Sequence, residues 1–154
     1  MISIDVEVGT HQSPEALSVD LIRSVLISRL AGDVLGQIEL ANGRGVVNLE
    51  VWSLKELGLT KGGIHQDVYQ VGQEQGLDKR PEVGPQLLRQ KLVPYGQCWF
   101  IAMDPIVDSD GNLSLFIVGH DSMGLWLGTS YGRPANFWKP SALFAFVRSA
   151  KPAF

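Results

Sequence analysis

Apolar and polar residues alternate from the start of the chain. Ile2, Ile4, Val6 and Val8 interleave with Ser3, Asp5 and Glu7, the period of a strand with one buried face. After Gly9-Thr-His-Gln the period becomes helical, with Leu17, Leu21, Ile22, Val25, Leu26 and Leu30 forming a broad apolar stripe. Ser13 supplies an N-cap hydroxyl, Pro14 suits the first helical position and Glu15 sits near the positive dipole end. The spacing therefore predicts one long helix from Ser13 to Gly32. Val34–Leu40 fits neither period. Asn42-Gly43 is a turn dipeptide, and Val46–Trp52 reads as a strand with Val47, Leu49 and Val51 on one face. Ser53 and Glu56 have the spacing of a capping box, which predicts a short helix ending at Gly58. Ile64, Val68 and Val71 form a narrower stripe in Ile64–Gln75, closed by Gly76; the internal Gly72 costs about 1 kcal/mol against Ala. Arg80-Pro81-Glu82 opens a further helix in which Val83, Leu87 and Leu88 can pack, Pro85 being tolerated only in its first turn.

The stretch Gln97–Arg148 holds three of the four Trp residues and most of the Phe. It predicts strands at Trp99–Val107, Leu113–Gly119, Leu125–Tyr131 and Leu143–Arg148, the first two joined by the turn sequence Asp108-Ser-Asp-Gly-Asn. Short connections make an antiparallel meander the natural topology. The runs WFIAM, LFIV and LFAFV are apolar at successive positions, so both faces of this sheet must be covered. The Ser13–Gly32 helix would cover one face. The smaller helices, the loop around Trp138 or a second copy of the chain would cover the other, so a homodimer is expected. The fold class is α+β: a mainly antiparallel sheet ending in a meander, one main N-terminal helix and two or three short helices, in a single domain over residues 1–154.

At 154 residues the chain can bury one core without disulfides or metal. A net charge of -3 argues against a nucleic-acid surface, which requires a basic stripe. Cys98, the single cysteine, lies in an apolar run and reads as a buried free thiol in a reducing cytoplasm. No run approaches the ~20 apolar residues of a membrane span. The opening MISIDVEVG is acidic rather than basic, unlike a secretory signal. A cytoplasmic protein is expected.

From Ser53 onward the chain resembles a family of short, uncharacterised bacterial proteins. The residues that carry the resemblance are the S-x-K-E-L-G of Ser53–Gly58, E-V-G-P-Q-L within Pro81–Leu88, and I-A-M-x-P-I-x-D-S-D-G of Ile101–Gly111. The fourth motif is G-L-W-L-x-x-x-Y-G-x-P-x-x-x-W-x-P, at Gly124–Pro140. The motifs span about two-thirds of the chain, which departs from them at Cys98 and around Gly62-Gly63-Ile64. The resemblance implies bacterial proteins carried on chromosomes and mobile gene cassettes. It implies no reaction.

Charge is segregated in the closing stretch. Asp104, Asp108, Asp110 and Asp121 fall in Gln97–Asp121, which has no Lys or Arg, whereas Arg133, Lys139, Arg148 and Lys151 follow with no acid. In a meander, Arg133 or Lys139 would answer the carboxylates of the DSDG turn. That turn resembles a calcium loop, but the glutamate twelve positions on that would close an EF-hand is Gly119, so a hairpin turn is the better reading. His120-Asp121 offers a base with its orienting acid. His11 and His65 lie in separate segments without metal spacing, and nucleophile-elbow, P-loop and Rossmann motifs are absent. Ser130 lacks an elbow. Trp99 and Trp126 read as sheet core.

The stiff loop Tyr131–Trp138 is the candidate site, combining Tyr131, Phe137 and Trp138 with Arg133 and Asn136. Rigid aromatic surfaces with one Arg lose little entropy on contact. The competing reading folds Phe137 and Trp138 back as a lid on the sheet. Two functions follow. The first is a non-catalytic binding or interaction protein that uses loop 131–138 for a small ligand or protein partner, without cofactor or metal. The alternative is a hydrolase-type enzyme using His120 with nearby aspartates, with or without a metal.

Overall fold

A computed structural model describes residues 1–149. Its strands are β1 (Ile2–Val8), β2 (Val25–Ile27), β3 (Gly45–Ser53), β4 (Gly63–Ile64), β5 (Leu77–Asp78), β6 (Cys98–Ile101), β7 (Ile106–Val107), β8 (Leu113–Asp121), β9 (Gly124–Tyr131), β10 (Phe137–Trp138) and β11 (Leu143–Arg148). The helices are α1 (Pro14–Leu21), α2 (Arg29–Leu35), α3 (His65–Glu74) and α4 (Val83–Arg89). The main sheet runs β1-β3-β11-β6-β8-β9-β2, with β5 paired to β11 and β7 to β8; β4 and β10 form a separate two-stranded ribbon.

This corrects the expected α+β fold with its closing meander. The fold is a mixed α/β arrangement of four helices on a large, mostly antiparallel nine-stranded sheet. Only β6, β8 and β9 follow one another as a meander. The last strand, β11, leaves it and inserts between β3 and β6, antiparallel to the first and parallel to the second. Short connections favour neighbours, but the long segment from Tyr131 to Ala142 releases β11 from that rule.

The predicted Ser13–Gly32 helix is also corrected. Ser13 does cap α1, its Oγ accepting from the Ala16 N–H at 3.1 Å. The helix stops at Leu21, and Val25-Leu26-Ile27 extends to pair in parallel with Leu125-Trp126-Leu127. A pair of β-branched residues beside an open sheet edge outweighs the helical stripe. Ser28 then caps α2, leaving Gly32 inside that helix rather than at an end. Nor does α1 lie on the sheet as the principal helix, since it packs against α4 and α2.

The central helix is α4, from the Pro81–Leu88 segment. Val83 through Leu88 are all buried, and Gly84 sits so close to the sheet that a Cβ would lie 3.1 Å from Ile101 and 3.3 Å from Phe116. Its polar side chains are satisfied. The buried Glu82 carboxylate accepts from the N–H groups of Gly9 (2.7 Å) and Ala41 (2.8 Å), tying both loops to the helix start. On the opposite face, α3 covers Phe144 and Phe146. Gly72 is required there because a Cβ would meet the Phe146 ring at 2.9 Å. Both faces are thus covered by helices of one chain over the centre of the sheet.

Several boundaries shift. Ser53 and Glu56 form both bonds of the capping box, at 2.9 and 3.0 Å, yet they enclose a single turn rather than a helix. Gly58, at φ +100°, ends it with the paired bonds of a Schellman motif. The predicted strand Trp99–Val107 breaks after Ile101, where Asp104-Pro105 interrupts the ladder. Cys98 is exposed, not buried, at the first position of β6, opposite Gly119. Trp126 is half-buried rather than core, lying flat on Gly119.

Where β3 pairs with β11, Glu50 is buried opposite Phe146. It takes a bidentate pair from Arg148 (2.5 and 2.7 Å) and a third bond from Trp52 Nε1 (3.1 Å). The Arg148 hydrogen bond above all holds the Glu50 carboxyl below the usual glutamate range. A depressed carboxyl stabilises the fold fully above its unfolded value and loses that contribution as pH falls through its folded value. Glu50→Gln should cost about 2 kcal/mol in urea denaturation at neutral pH, and the difference from wild type should shrink as both are titrated through the acid range.

Candidate functional site

The N-terminus of α3 has no side-chain cap, since Ile64 occupies the N-cap position. Its free amides must find acceptors elsewhere. They find them in the 131–138 loop: the His65 N–H donates to the Asn136 carbonyl (2.8 Å) and the Gln66 N–H to that of Pro134 (3.1 Å). The β4–β10 ribbon adds the pairs Phe137–Ile64 and Trp138–Gly63. Gly62, at φ +84°, permits this approach, because a Cβ there would lie 2.4 Å from the Trp138 carbonyl oxygen. The loop is therefore a cap on a helix end, held by backbone.

The predicted site residues disperse. Trp138 turns inward, 7% exposed, against Phe100 (4.5 Å between ring centroids) and Phe144 (5.3 Å). Tyr131 and Phe137 stay exposed at 60% and 62%, beside different depressions: Tyr131 near the DSDG turn, Phe137 near Cys98 and Leu143. Arg133 points to Asn112 Oδ1 at 3.4 Å, and Asn136 is used through its backbone. Tyr131, Arg133 and Trp138 do not line one cleft. The lid reading describes Trp138, and Phe137 follows neither reading fully.

What the loop does build is a cleft of about 590 Å³, a volume suited to a small ligand. His65, Tyr69, Gln66, Gln70 and Gln73 of α3 line one wall; Leu77, Asp78 and Lys79 a second; Pro105, Leu113, Gly132 and Pro134 a third, with Phe146 and Ser149 behind. Tyr69 is fixed by Met103, its hydroxyl donating to the Met103 carbonyl (2.8 Å) and accepting from its N–H (3.0 Å). Burial above all holds its phenol proton far above the ordinary range. Lys79 pairs with Asp104 at 2.6 Å and stands 5.2 Å from the centroid of the Tyr69 ring.

His65 is the unusual member. It is 3% exposed, its ring tilted against that of Tyr69 with 4.3 Å between centroids. The indole N–H of Trp138 only donates, so His65 Nδ1 accepts from it at 3.1 Å. The neutral ring must then carry its proton on Nε2. That nitrogen is buried and has no partner among the described residues, a condition shared only with Asp33 Oδ2. Burial first, and the nearby Lys79 charge second, push the His65 pKa down to about 4. The ring is neutral at physiological pH and presents a donor, with no lone pair free to abstract a proton.

No carboxylate orients His120: its Nδ1–H donates to the Val93 carbonyl at 2.9 Å, and Asp121 accepts from the Met123 N–H instead. The other aspartates are engaged elsewhere. Asp104 holds Lys79, and Asp110 pairs with Arg29 at 3.2 Å, the cation that answers the DSDG turn in place of Lys139 or Arg133. Asp108 is buried, accepting from Ser114 Oγ (2.7 Å) and the N–H groups of Asp110 and Asn112. The Ser114 bond leads in lowering its pKa. No grouping of three or more metal-ligating side chains occurs among the described residues.

Neither the tyrosine-lined cleft nor its histidine was singled out by sequence reasoning. His65, Tyr69 and Gly72 share a helix face, but only the uncapped start of α3 hinted that another segment must sit there. Comparisons with protein-family models, with curated proteins and with solved structures yield no match. Among the described residues no helix is long and apolar enough to cross a membrane.

Trp138→Phe should remove the donor that fixes the His65 tautomer. Nitrogen NMR should find wild-type His65 as the Nε2–H form, neutral down to about pH 4, and the variant as a tautomer mixture. The lost bond and indole volume should cost about 2 kcal/mol in thermal or urea unfolding.

Proposed function

We propose that this chain, akin to the short bacterial proteins its motifs resemble, binds a small molecule in the cleft between α3 and the 131–138 loop, and that this cleft holds its ligand without catalysis. The observation that carries this reading is the buried, unpartnered Nε2–H of His65. A buried donor left without an acceptor costs about 1–3 kcal/mol, and its persistence calls for an acceptor from outside the chain. The ligand carries a carbonyl or other acceptor oxygen for that N–H, and a flat or apolar body for the Tyr69, Leu77 and Phe146 walls. The glutamine amides of α3 meet its remaining polar groups. Loop 131–138 takes part through Gly132 and Pro134 and by holding Trp138 against His65, not by exposing its aromatic rings.

A neutral histidine that donates, a tyrosine hydroxyl already saturated and a lysine already paired favour holding over turnover. A thermal-shift screen of small planar carbonyl compounds should give hits whose binding shifts the NMR signals of His65, Tyr69 and Gln73. Gln70→Trp, a change at an exposed helix position, should fill the cleft and abolish those shifts while leaving the melting temperature within a few degrees. Hits that bind the variant unchanged, or a screen with none, would sink the reading.

The homodimer belongs here too, in a cytoplasmic setting. Leu26, which is 54% exposed, pairs in register with the half-buried Trp126, and Ile117 follows on the same face. A second copy would cover these side chains. Sedimentation equilibrium at micromolar concentration should give a dimer, with Trp126→Glu shifting it to monomer; a wild-type monomer would overturn this.

A further inference from the structure

Far from the His65 cleft, a second set of polar side chains forms a directed chain of hydrogen bonds. Asp20 of α1 lies 3.0 Å from His11 Nε2, and His11 Nδ1 lies 2.6 Å from Thr10 Oγ1. Gln86 of α4 then meets Thr10 Oγ1 through its amide nitrogen at 2.7 Å. Gln86 Oε1 accepts from Arg89 Nε and Gln90 Nε2, so its nitrogen is the end facing Thr10 and donates. The Asp20 carboxylate only accepts, so in the neutral ring the His11 proton sits on Nε2 and is donated to it. Nδ1 of that tautomer accepts the Thr10 hydroxyl proton. Hydroxyl to imidazole to carboxylate, with the imidazole oriented from behind, is the arrangement that activates an oxygen nucleophile.

The surroundings suit such a role. Thr10 and His11 are only partly buried and line an open, mainly polar cleft together with Gly43 and Arg44. Thr10 is held from two sides. The adjoining Gly9 N–H is bound by the buried Glu82, and Gly9 approaches Gly43 so closely that a Cβ would fall 1.9 Å from its carbonyl oxygen. The N–H groups of Thr10, His11 and Gln12 make no hydrogen bond among the described residues.

We propose that Thr10, His11 and Asp20 form an acyl-transfer site acting on small esters. Thr10 Oγ attacks the ester carbonyl carbon as His11 Nδ1 takes the hydroxyl proton. The tetrahedral intermediate collapses, the alkoxide or phenoxide leaves with that proton, and Thr10 carries the acyl group. Water then attacks the Thr10 ester while His11 removes its proton. The carboxylic acid departs and the proton returns to Thr10 Oγ. Asp20 positions His11 through its hydrogen bond to Nε2, and Gln86 positions the Thr10 hydroxyl from the other side.

The full-length protein is incubated with p-nitrophenyl acetate. Release of p-nitrophenol should follow saturable kinetics, and quenched samples should show one added acetyl group on the peptide containing Thr10. Thr10→Val and His11→Gln should each lower kcat about 100-fold or more, while Thr10→Ser retains turnover. Asp20→Asn should lower kcat with KM nearly unchanged, as a positioning residue would. Circular dichroism melts establish that each variant is folded, and Thr10→Ser serves as the conservative control should Thr10→Val fail to fold. Release equal in wild type and Thr10→Val, or acetyl groups only on lysines, would overturn the assignment.

Discussion

The candidate ligand cleft depends on one unmet demand: the first amides of α3 have no cap of their own. Ile64 cannot accept a hydrogen bond through its side chain, so the carbonyls of Pro134 and Asn136 take that role from seventy residues away. That choice fixes where the loop runs, places Trp138 over Phe100 and Phe144, and puts its indole N–H within reach of His65. The orientation of the imidazole, its tautomer and the third wall of the cleft all follow. A helix end with a serine cap would have needed none of this.

Much of the architecture was legible. The β1 alternation and the β3 face are set by period, and the continuous apolar runs, Leu143–Arg148 among them, signalled a sheet covered on both sides. The order of strands was not legible, because nothing local to Leu143–Arg148 says that it pairs with Gly45–Ser53 and Cys98–Ile101. The failure at Val25–Ile27 has a different cause. Leu17, Leu21 and Val25 do face the core, but Ile22 and Leu26 stand 65% and 54% exposed. One apolar stripe ran through two elements of different kind, and only the open edge of β9 decides where the helix gives way.

The site was less legible than the fold. Aromatic rings in a stiff loop looked like a contact surface, yet the loop's backbone carbonyls matter more than its rings. Backbone acceptors leave no trace in side-chain composition. His65 and His11 looked unremarkable because their partners, Trp138 in one case and Thr10 with Asp20 in the other, are defined by contacts rather than spacing. The motif segments fall on structural parts: Glu82–Leu87 belongs to the buried helix, and Met103 anchors Tyr69.

The position of β11 has a consequence for how the chain reaches its native state. In the sheet it is a central strand, joining the β1–β3 pair to the β6–β8–β9 unit, and it is the last strand in chain order among the described residues. Until it arrives, each of the two pieces shows an open edge and part of an apolar face, with about ninety residues separating β3 from the strand it awaits. Closing so large a loop before any reward in pairing makes folding slow, and leaves the unfilled gap open to strands of other chains. Any element that inserts there early, whether the proper strand or a foreign one, decides between a finished sheet and an aggregate.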